Sequence, residues 1–379
     1  TSNSFLLDGA DINDASGTSG SVAGTMAGVE TVREFKVITN AYDSEYGRHT
    51  GGVVSAVTKS GTNELHGSLF EFLRNDNLDA PRWEDNKNPN GQPEFRRNQF
   101  GGSLGGPVVK DKTFFFTSYE GLRENKGITD TYTVPGAAMR ARAANASVRP
   151  YLDAWPVPTQ PDLDANQARR IVGNPRPTEQ DFVTGRVDYT LSPSDSMFIR
   201  FNHDNSDRTD YRMTSTQVSN SKNYFTTIEE THIFSPALLG RTHISLNRTD
   251  FGAVDAKLPG MSYPKFSFSD VEDVPGNITI TGGFTTWGGS NTNPRYNKQT
   301  TWQFKEDLFW TAGRHSLKFG GQWETILYNM RSDFHSAGTF VFANANDFLN
   351  SVVSNVTFTR PGSQSHRSWK QNLGGIYVQ

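Results

Sequence analysis

The sequence predicts an all-β protein whose strands form the antiparallel wall of a transmembrane barrel of the outer-membrane type. Three observations lead there. Apolar and polar residues alternate with a period of two along many segments, as they do in strands with one apolar face. The connections between those segments alternate between short and long. The composition is aromatic-rich, with 12% aromatics and 26 Phe, in a chain of 379 residues that is only 34% hydrophobic. A lipid-facing strand needs an apolar residue only at every second position, so a mean hydropathy of −0.60 is compatible with a wall in lipid. No run approaches the ~18 consecutive apolar residues of a spanning helix.

Residues 1–62 have their own texture. DGADINDASGTSG is turn-rich, VREFKVIT (32–39) is strand-like, and GGVVSAVT (51–58) is a strand of small and β-branched residues. After the turn signal KSGTN the style changes, and 65–72 sets Leu and Phe among His, Gly, Ser and Glu. From there strand-like runs recur at 63–75, 95–107, 113–124, 181–191, 194–206, 223–234, 238–248, 296–311, 317–327 and 367–379. In 181–191, Val183, Val187, Tyr189 and Leu191 share one face, and Thr184, Arg186 and Asp188 the other. Leu317, Phe319, Trp323 and Leu327 oppose Lys318, Gln322 and Glu324 in the same way. Glu306 breaks the rule by sharing a face with Trp302, Phe304, Leu308 and Trp310, which predicts a bulge or a position at headgroup level.

Short links fall at 108–112, 192–195, 235–236 and 312–315; long ones fall at 76–94, 125–180, 207–222, 251–295 and 331–366. In an up-and-down sheet this places every short turn at one end and every long loop at the other, the asymmetry of outer-membrane barrels. The second face then looks into the lumen. Arg186, Asp188, Arg200, Arg241, His243, Lys305, Asp307, Lys318 and Glu324 are the lumen-facing charges this predicts. Such charges are costly in a sandwich core and ordinary in a wet or plugged lumen. Tyr119, Tyr189, Tyr224, Trp302, Trp310 and Trp323 are candidates for the interfacial aromatic girdles.

The segment VREFKVITNAYDSEYGRHTGGVVSAVTKSGTNELHGSLFEFLRND resembles the end of the plug and first wall strand of TonB-dependent outer-membrane receptors, in particular the Oar-like subgroup with a carboxypeptidase-regulatory-like domain. Arg33 and Glu34 lie in the first part of the plug pattern, Tyr46-Gly47 form the second, and Gly51-Gly52 open the third. FRRNQFGGSLGGPVVKDKTFFFTSYEGLRE (95–124) resembles the next hairpin of that subgroup. The Arg-Gly-Pro element of the plug pattern is absent, with Thr39-Asn40-Ala41 in its place. The resemblance implies that 1–62 is the C-terminal part of a small mixed α/β plug and 63–379 the first part of the barrel. Roughly ten or eleven strands would be present of the about 22 in plugged transporters. It also implies energised movement of a large solute (a peptide, oligosaccharide or chelate), with outer-membrane lipid, the TonB complex and an extracellular substrate as partners. The TonB-binding segment is expected upstream of residue 1, the long loops outside the cell and the short turns in the periplasm.

The chemistry motifs are unpromising. Asp11 and Asn13 fit the first two positions of a calcium loop, but Ala15 and Ser16 fail the next ligand and the required glycine. GGSLGGPVVK lacks the Gly-Lys-Ser/Thr ending of a phosphate loop. The eight His show no metal-ligand spacing, the absence of Cys excludes a thiol nucleophile, and no G-x-S-x-G elbow occurs. No enzyme, cofactor or metal is therefore expected. A net charge of −3 gives no basic surface for nucleic acid. The segment 136–155 is expected to form a helix that packs its own loop against the barrel rim, through a stripe of Met139, Val148, Tyr151, Leu152 and Trp155. Two other readings are an Oar-like barrel for adhesion or protein export, and a soluble β-rich carbohydrate-binding protein.

Overall fold

A computed structural model describes residues 3–14, 21–24, 27–39, 46, 51–261, 275–360 and 362–379. The first part is a small mixed sheet of β1 (Ser4–Leu7), β2 (Ala10–Asp11), β3 (Val32–Ile38) and β4 (Val53–Thr58), in the order β2-β1-β4-β3. β1 runs parallel to β4, which puts the small residue Ala56 at the centre, fully buried with Leu7 and Ile12. Gly61 then carries the chain across the inner face of the wall. A Cβ there would stand 2.3 Å from the Phe115 carbonyl oxygen, so only glycine passes.

The wall begins with β5 (His66–Asn75), β6 (Phe95–Val109) and β7 (Thr113–Lys126). The next loop folds as a hairpin of β8 (Ile128–Pro135) and β9 (Gln167–Asn174), with two short helices, α1 (Ala137–Ala141) and α2 (Arg149–Ala154), between them. The wall resumes with β10 (Pro177–Ser192), β11 (Asp195–Tyr211), β12 (Ser215–Ser235) and β13 (Leu238–Lys257). β14 (Asn277–Ile280) lies in a loop, and β15 (Arg295–Ala312) and β16 (His315–Ser332) return to the wall. β17 (Thr339–Phe342), α3 (Ala345–Leu349) and β18 (Asn355–Thr357) occupy the last loop before β19 (His366–Val378). The wall is one ten-stranded antiparallel sheet in sequential order, open at β5 and β19.

The two faces follow the expected alternation. Register aligns Val187, Ile199, Ile228, Ile244, Phe304 and Trp323 across six strands, and all are 36–54% exposed. This is a continuous apolar belt. The adjacent row on the other face reads Arg186, Arg200, Thr227, Ser245, Gln303 and Glu324, and it faces the small sheet.

Two expectations are corrected, and one left open between two alternatives is narrowed. Residues 207–222 are not a long loop: β11 and β12 continue through them and turn at 212–214. Both faces are polar there, so the apolar period vanishes while the backbone ladder persists. Glu306 is not in a bulge, because its register with Thr242 and Gly321 is unbroken; it accepts a 2.6 Å hydrogen bond from Thr242 Oγ1 on the outer face. The 136–155 helix is two short ones, and it packs against other loops. Val134, Met139, Leu152 and Trp155 share a buried core with Met213, Ile278, Ile280, Trp287, Phe342 and Phe348, which come from the 212–214 turn and two further loops. Trp155 meets Phe348 edge-on at 5.8 Å, and Trp287 Nε1 donates to the Ala154 carbonyl at 3.2 Å. The loops thus build a common cap over one end of the wall.

Candidate functional site between plug and inner wall

The densest charge constellation forms where the β1–β2 turn meets β10 and β11. Parallel pairing of β1 with β4 brings Asp8, in a left-handed conformation (φ 46°), beside Thr58. Thr58 donates to the Asp8 carboxylate from its N–H and its hydroxyl, both at 2.8 Å. Arg200 Nη1 donates to the same carboxylate at 2.8 Å; the Arg200 side chain is 0% exposed and that of Asp8 4%. Arg186 approaches Asp8 at 3.6 Å, donates to Thr58 Oγ1 at 3.0 Å and is bound bidentately by Asp188. Its guanidinium also lies 3.9 Å from the centre of the Phe198 ring. Two cations and two carboxylates balance, as burial of such a cluster requires. Arg200 Nη2 donates to Thr227 Oγ1, while its buried Nε has no hydrogen-bond partner.

Away from this centre the contacts are polar and mostly neutral. Asn247 and Gln303 donate to the Asp11 carbonyl, and Gln299 to that of Asn13. Thr31 bonds Ser118, Val29 N–H donates to Glu120, and Ser221 accepts from Val22 N–H. Arg208 donates to the Val22 carbonyl. Towards the short turns, a space of about 850 Å³ separates the small sheet from the wall, with Arg241, His243, Lys305, Asp307 and Lys318 among its lining. A hydrogen bond from Lys59 holds the Glu30 carboxyl below its ordinary range.

A wall of this kind, charged inside and apolar outside, is what a family comparison must match. The family described as "Outer membrane beta barrel domain" matches residues 57–150 and 142–379. The chain belongs to the outer-membrane β-barrel family. Over 121 residues it is 38% identical to the TonB-dependent transporter Oar of Myxococcus xanthus, covering 31% of this chain and 11% of that protein. The outer membrane transporter YddB from Escherichia coli has the same fold, with a TM-score of 0.57 at 14% identity over all of this chain and 46% of that one. The ferric yersiniabactin uptake receptor FyuA from Yersinia pestis gives 0.50 at 12% identity, over 99% of this chain and 52% of that one. The chain thus spans about half the length of these solved proteins and about a tenth of Oar. It is a partial outer-membrane barrel with the end of a plug, and its place is the outer membrane.

In barrel terms, the structure brings Arg186, Asp188 and Arg200 together at the plug. Arg241 and His243 form a second group with Glu229, at 3.6 and 3.5 Å. Lys318 stands over the Phe309 and Tyr377 rings, and Glu324 lines a separate smaller cavity with Asp11 and Gln303. Of the plug-motif residues, Arg33 and Glu34 form an exposed ion pair at 2.7 Å on the edge strand β3. Tyr46 lines the larger space, Gly51 and Gly52 lead into β4, and Gly47 lies outside the described residues. Sequence reasoning missed Asp8 as the partner of the wall arginines; it had seen only a turn there. It also missed a rim cluster of Asp195, Glu230 and His232, with ligand-type atoms within 4.8 Å of one another, because inter-strand register alone unites them.

Proposed function

We propose that the full-length protein moves a large solute, a peptide, oligosaccharide or chelate, across the outer membrane by displacing its plug. Residues 1–62 act as the end of that plug and 63–379 as the first part of the wall. The long loops face outside, the short turns face the periplasm, and the TonB complex supplies the force. The observation that carries this reading is the chemistry of the plug–wall interface. Among the described residues, apart from a small apolar cluster around Phe225, it consists of hydrogen bonds and one buried ionic centre. Each neutral hydrogen bond contributes only about 0.5–1.5 kcal/mol net, because water replaces it on separation. A plug held this way is seated firmly yet can be moved. On the outer side, a cleft of about 500 Å³ lined by Arg176, Arg208, Arg212, Tyr132 and Tyr211 lies next to the plug contact of Arg208 and is a suitable place for solute capture. Burial, reinforced by Asp130, raises the pKa of the Tyr132 phenol, whose hydroxyl donates to the Asp130 carboxylate at 3.1 Å.

The test uses cells producing the full-length protein and labelled peptide and oligosaccharide pools. Accumulation is expected to require both the plug and an energised inner membrane. Accumulation that persists after de-energisation, or after deletion of the plug, refutes the reading. The shared loop cap favours a second reading, an Oar-like barrel for adhesion or protein export. That reading expects unchanged uptake but altered attachment or secretion when the cap is disrupted.

A further inference from the structure

Two carboxylates and an imidazole meet at the turn end of the wall, on its outer face. Asp195 opens β11 directly after the 193–194 turn, and His232 lies three residues before the end of β12. Even spacing sets their face. Asp195 is four residues from Ile199, and Glu230 and His232 are two and four from Ile228, so all three share the outward parity of the apolar belt. Register then joins the strands: Asp195 stands directly opposite His232, and Glu230 sits beside them, opposite Met197. One ligand-type atom from each lies within 4.8 Å of the others, and among the described residues no other group of His, Asp and Glu does this.

Local structure fixes two of the three side chains. The Asp195 carboxylate accepts through Oδ2 from the Ser192 and Ser194 hydroxyls of the turn, which leaves Oδ1 facing His232 Nδ1 at 2.5 Å. The His232 ring lies edge-on to Phe234, with centres 4.3 Å apart. Glu230 is different. It accepts no hydrogen bond and makes no ion pair with Lys or Arg among the described residues. Its cross-strand neighbours are Met197 and Thr242, and the far neighbour of His232 is Gly240, so register brings no cation to the group. Two carboxylates in one site disfavour each other's charged form. Even a protonated His232 balances only one of them.

We infer that Asp195, Glu230 and His232 bind one divalent transition-metal ion of the zinc type, which ties β11 to β12 at the turn rim. An imidazole nitrogen beside carboxylate oxygens suits such an ion, whereas magnesium and calcium take oxygen ligands. Zinc holds these atoms at about 2.0–2.2 Å, and turning the flexible Glu230 side chain inward closes the trio to that spacing. The serine hydroxyls on Asp195 then orient the carboxylate, as outer hydrogen bonds do around metal ligands. Three protein ligands leave a fourth tetrahedral position for water or a donor from outside. All three side chains are half-buried, so the ion can enter from solvent.

The test uses the full-length protein in detergent, stripped with a chelator and titrated with zinc against a competing indicator dye. His232→Gln and Glu230→Gln are each expected to weaken one zinc site by about 100-fold or more, since even loss of an outer partner costs about 10–100-fold. His203→Gln, on the same outer face but outside the trio, is expected to bind zinc as the native protein does. Millimolar magnesium should not displace the ion. Heat-modifiable gel mobility checks that each variant is folded. X-ray absorption at the zinc edge of the native protein gives a reading that needs no variant, and an imidazole among oxygen ligands is expected. Unchanged zinc binding by His232→Gln, an equal loss in His203→Gln, or an edge spectrum without imidazole overturns the assignment and leaves Asp195 and His232 as an ion pair. None of these results depends on whether the protein transports anything.

Discussion

At the scale of single residues, the ionic centre makes the sharpest demand. Asp8→Asn leaves Arg200 buried without its counter-charge, and loss of one partner of a buried pair costs about 3–5 kcal/mol. The cost should fall on plug docking, read as a large rise in amide exchange over β1 and β4 with little change in the wall. Removing both charges, with Asp8→Asn and Arg200→Gln together, should cost less than Asp8→Asn alone, because no unpaired ion remains. Gly61→Ala is a separate case. Its Cβ would meet the backbone of Phe115 at 2.3 Å, which no rotamer change relieves, and a loss of about 1–3 kcal/mol in unfolding titrations is expected. The two sites were not equally legible. Arg186 and Arg200 could be placed on the inner face by parity alone. Asp8 could not be assigned to them, since it lies 192 residues from Arg200 and reaches it only through the parallel β1–β4 pairing.

At the scale of elements, the wall strands were readable wherever one face met lipid, and obscure where neither did. Ile228 and Ile244 announce their strands because each is flanked by inward polar residues, Thr227 and Glu229 for the one and His243 and Ser245 for the other. In 207–222 Asp207, Arg208, Asp210, Gln217 and Asn220 are polar on both faces, so no period marked the ladder that unites β11 and β12 above the belt. The belt itself can be tested. Ile244→Arg should lower folding stability in lipid vesicles by about 2–4 kcal/mol if the residue sits near the bilayer midplane, as measured by denaturant titration. The cap answers to a different term. Trp155→Ala removes a buried aromatic at the junction of three loops and should cost the cap about 3–5 kcal/mol. The wall should hold, so amide exchange is expected to rise in α2, α3 and β17 while β10–β13 remain protected. Helix propensity in 136–155 gave no warning of this shared core, because its other half lies more than a hundred residues downstream, in Trp287, Phe342 and Phe348.

At the scale of the whole molecule, the question is what ten strands do in a bilayer. β5 and β19 end the sheet with unpaired backbone groups, and each exposes an apolar side chain almost completely, Leu69 at 94% and Ile376 at 93%. In hydrocarbon every unpaired N–H and C=O costs several kcal/mol, so an open sheet edge cannot face lipid. The ten strands must therefore find further strands along both edges before they can span the membrane. Barrels of this plugged class reach that closure at about 22 strands. Produced alone and refolded into phosphatidylcholine vesicles, this chain is expected to remain protease-sensitive and to lack the heat-modifiable gel mobility of a closed barrel, whereas the full-length protein should show both protection and the mobility shift. Should the isolated chain insert as a protected monomer, the lipid-facing assignment of β5 and β19 would have to be abandoned, and with it the half-barrel geometry that puts Asp8, Arg186 and Arg200 inside a lumen.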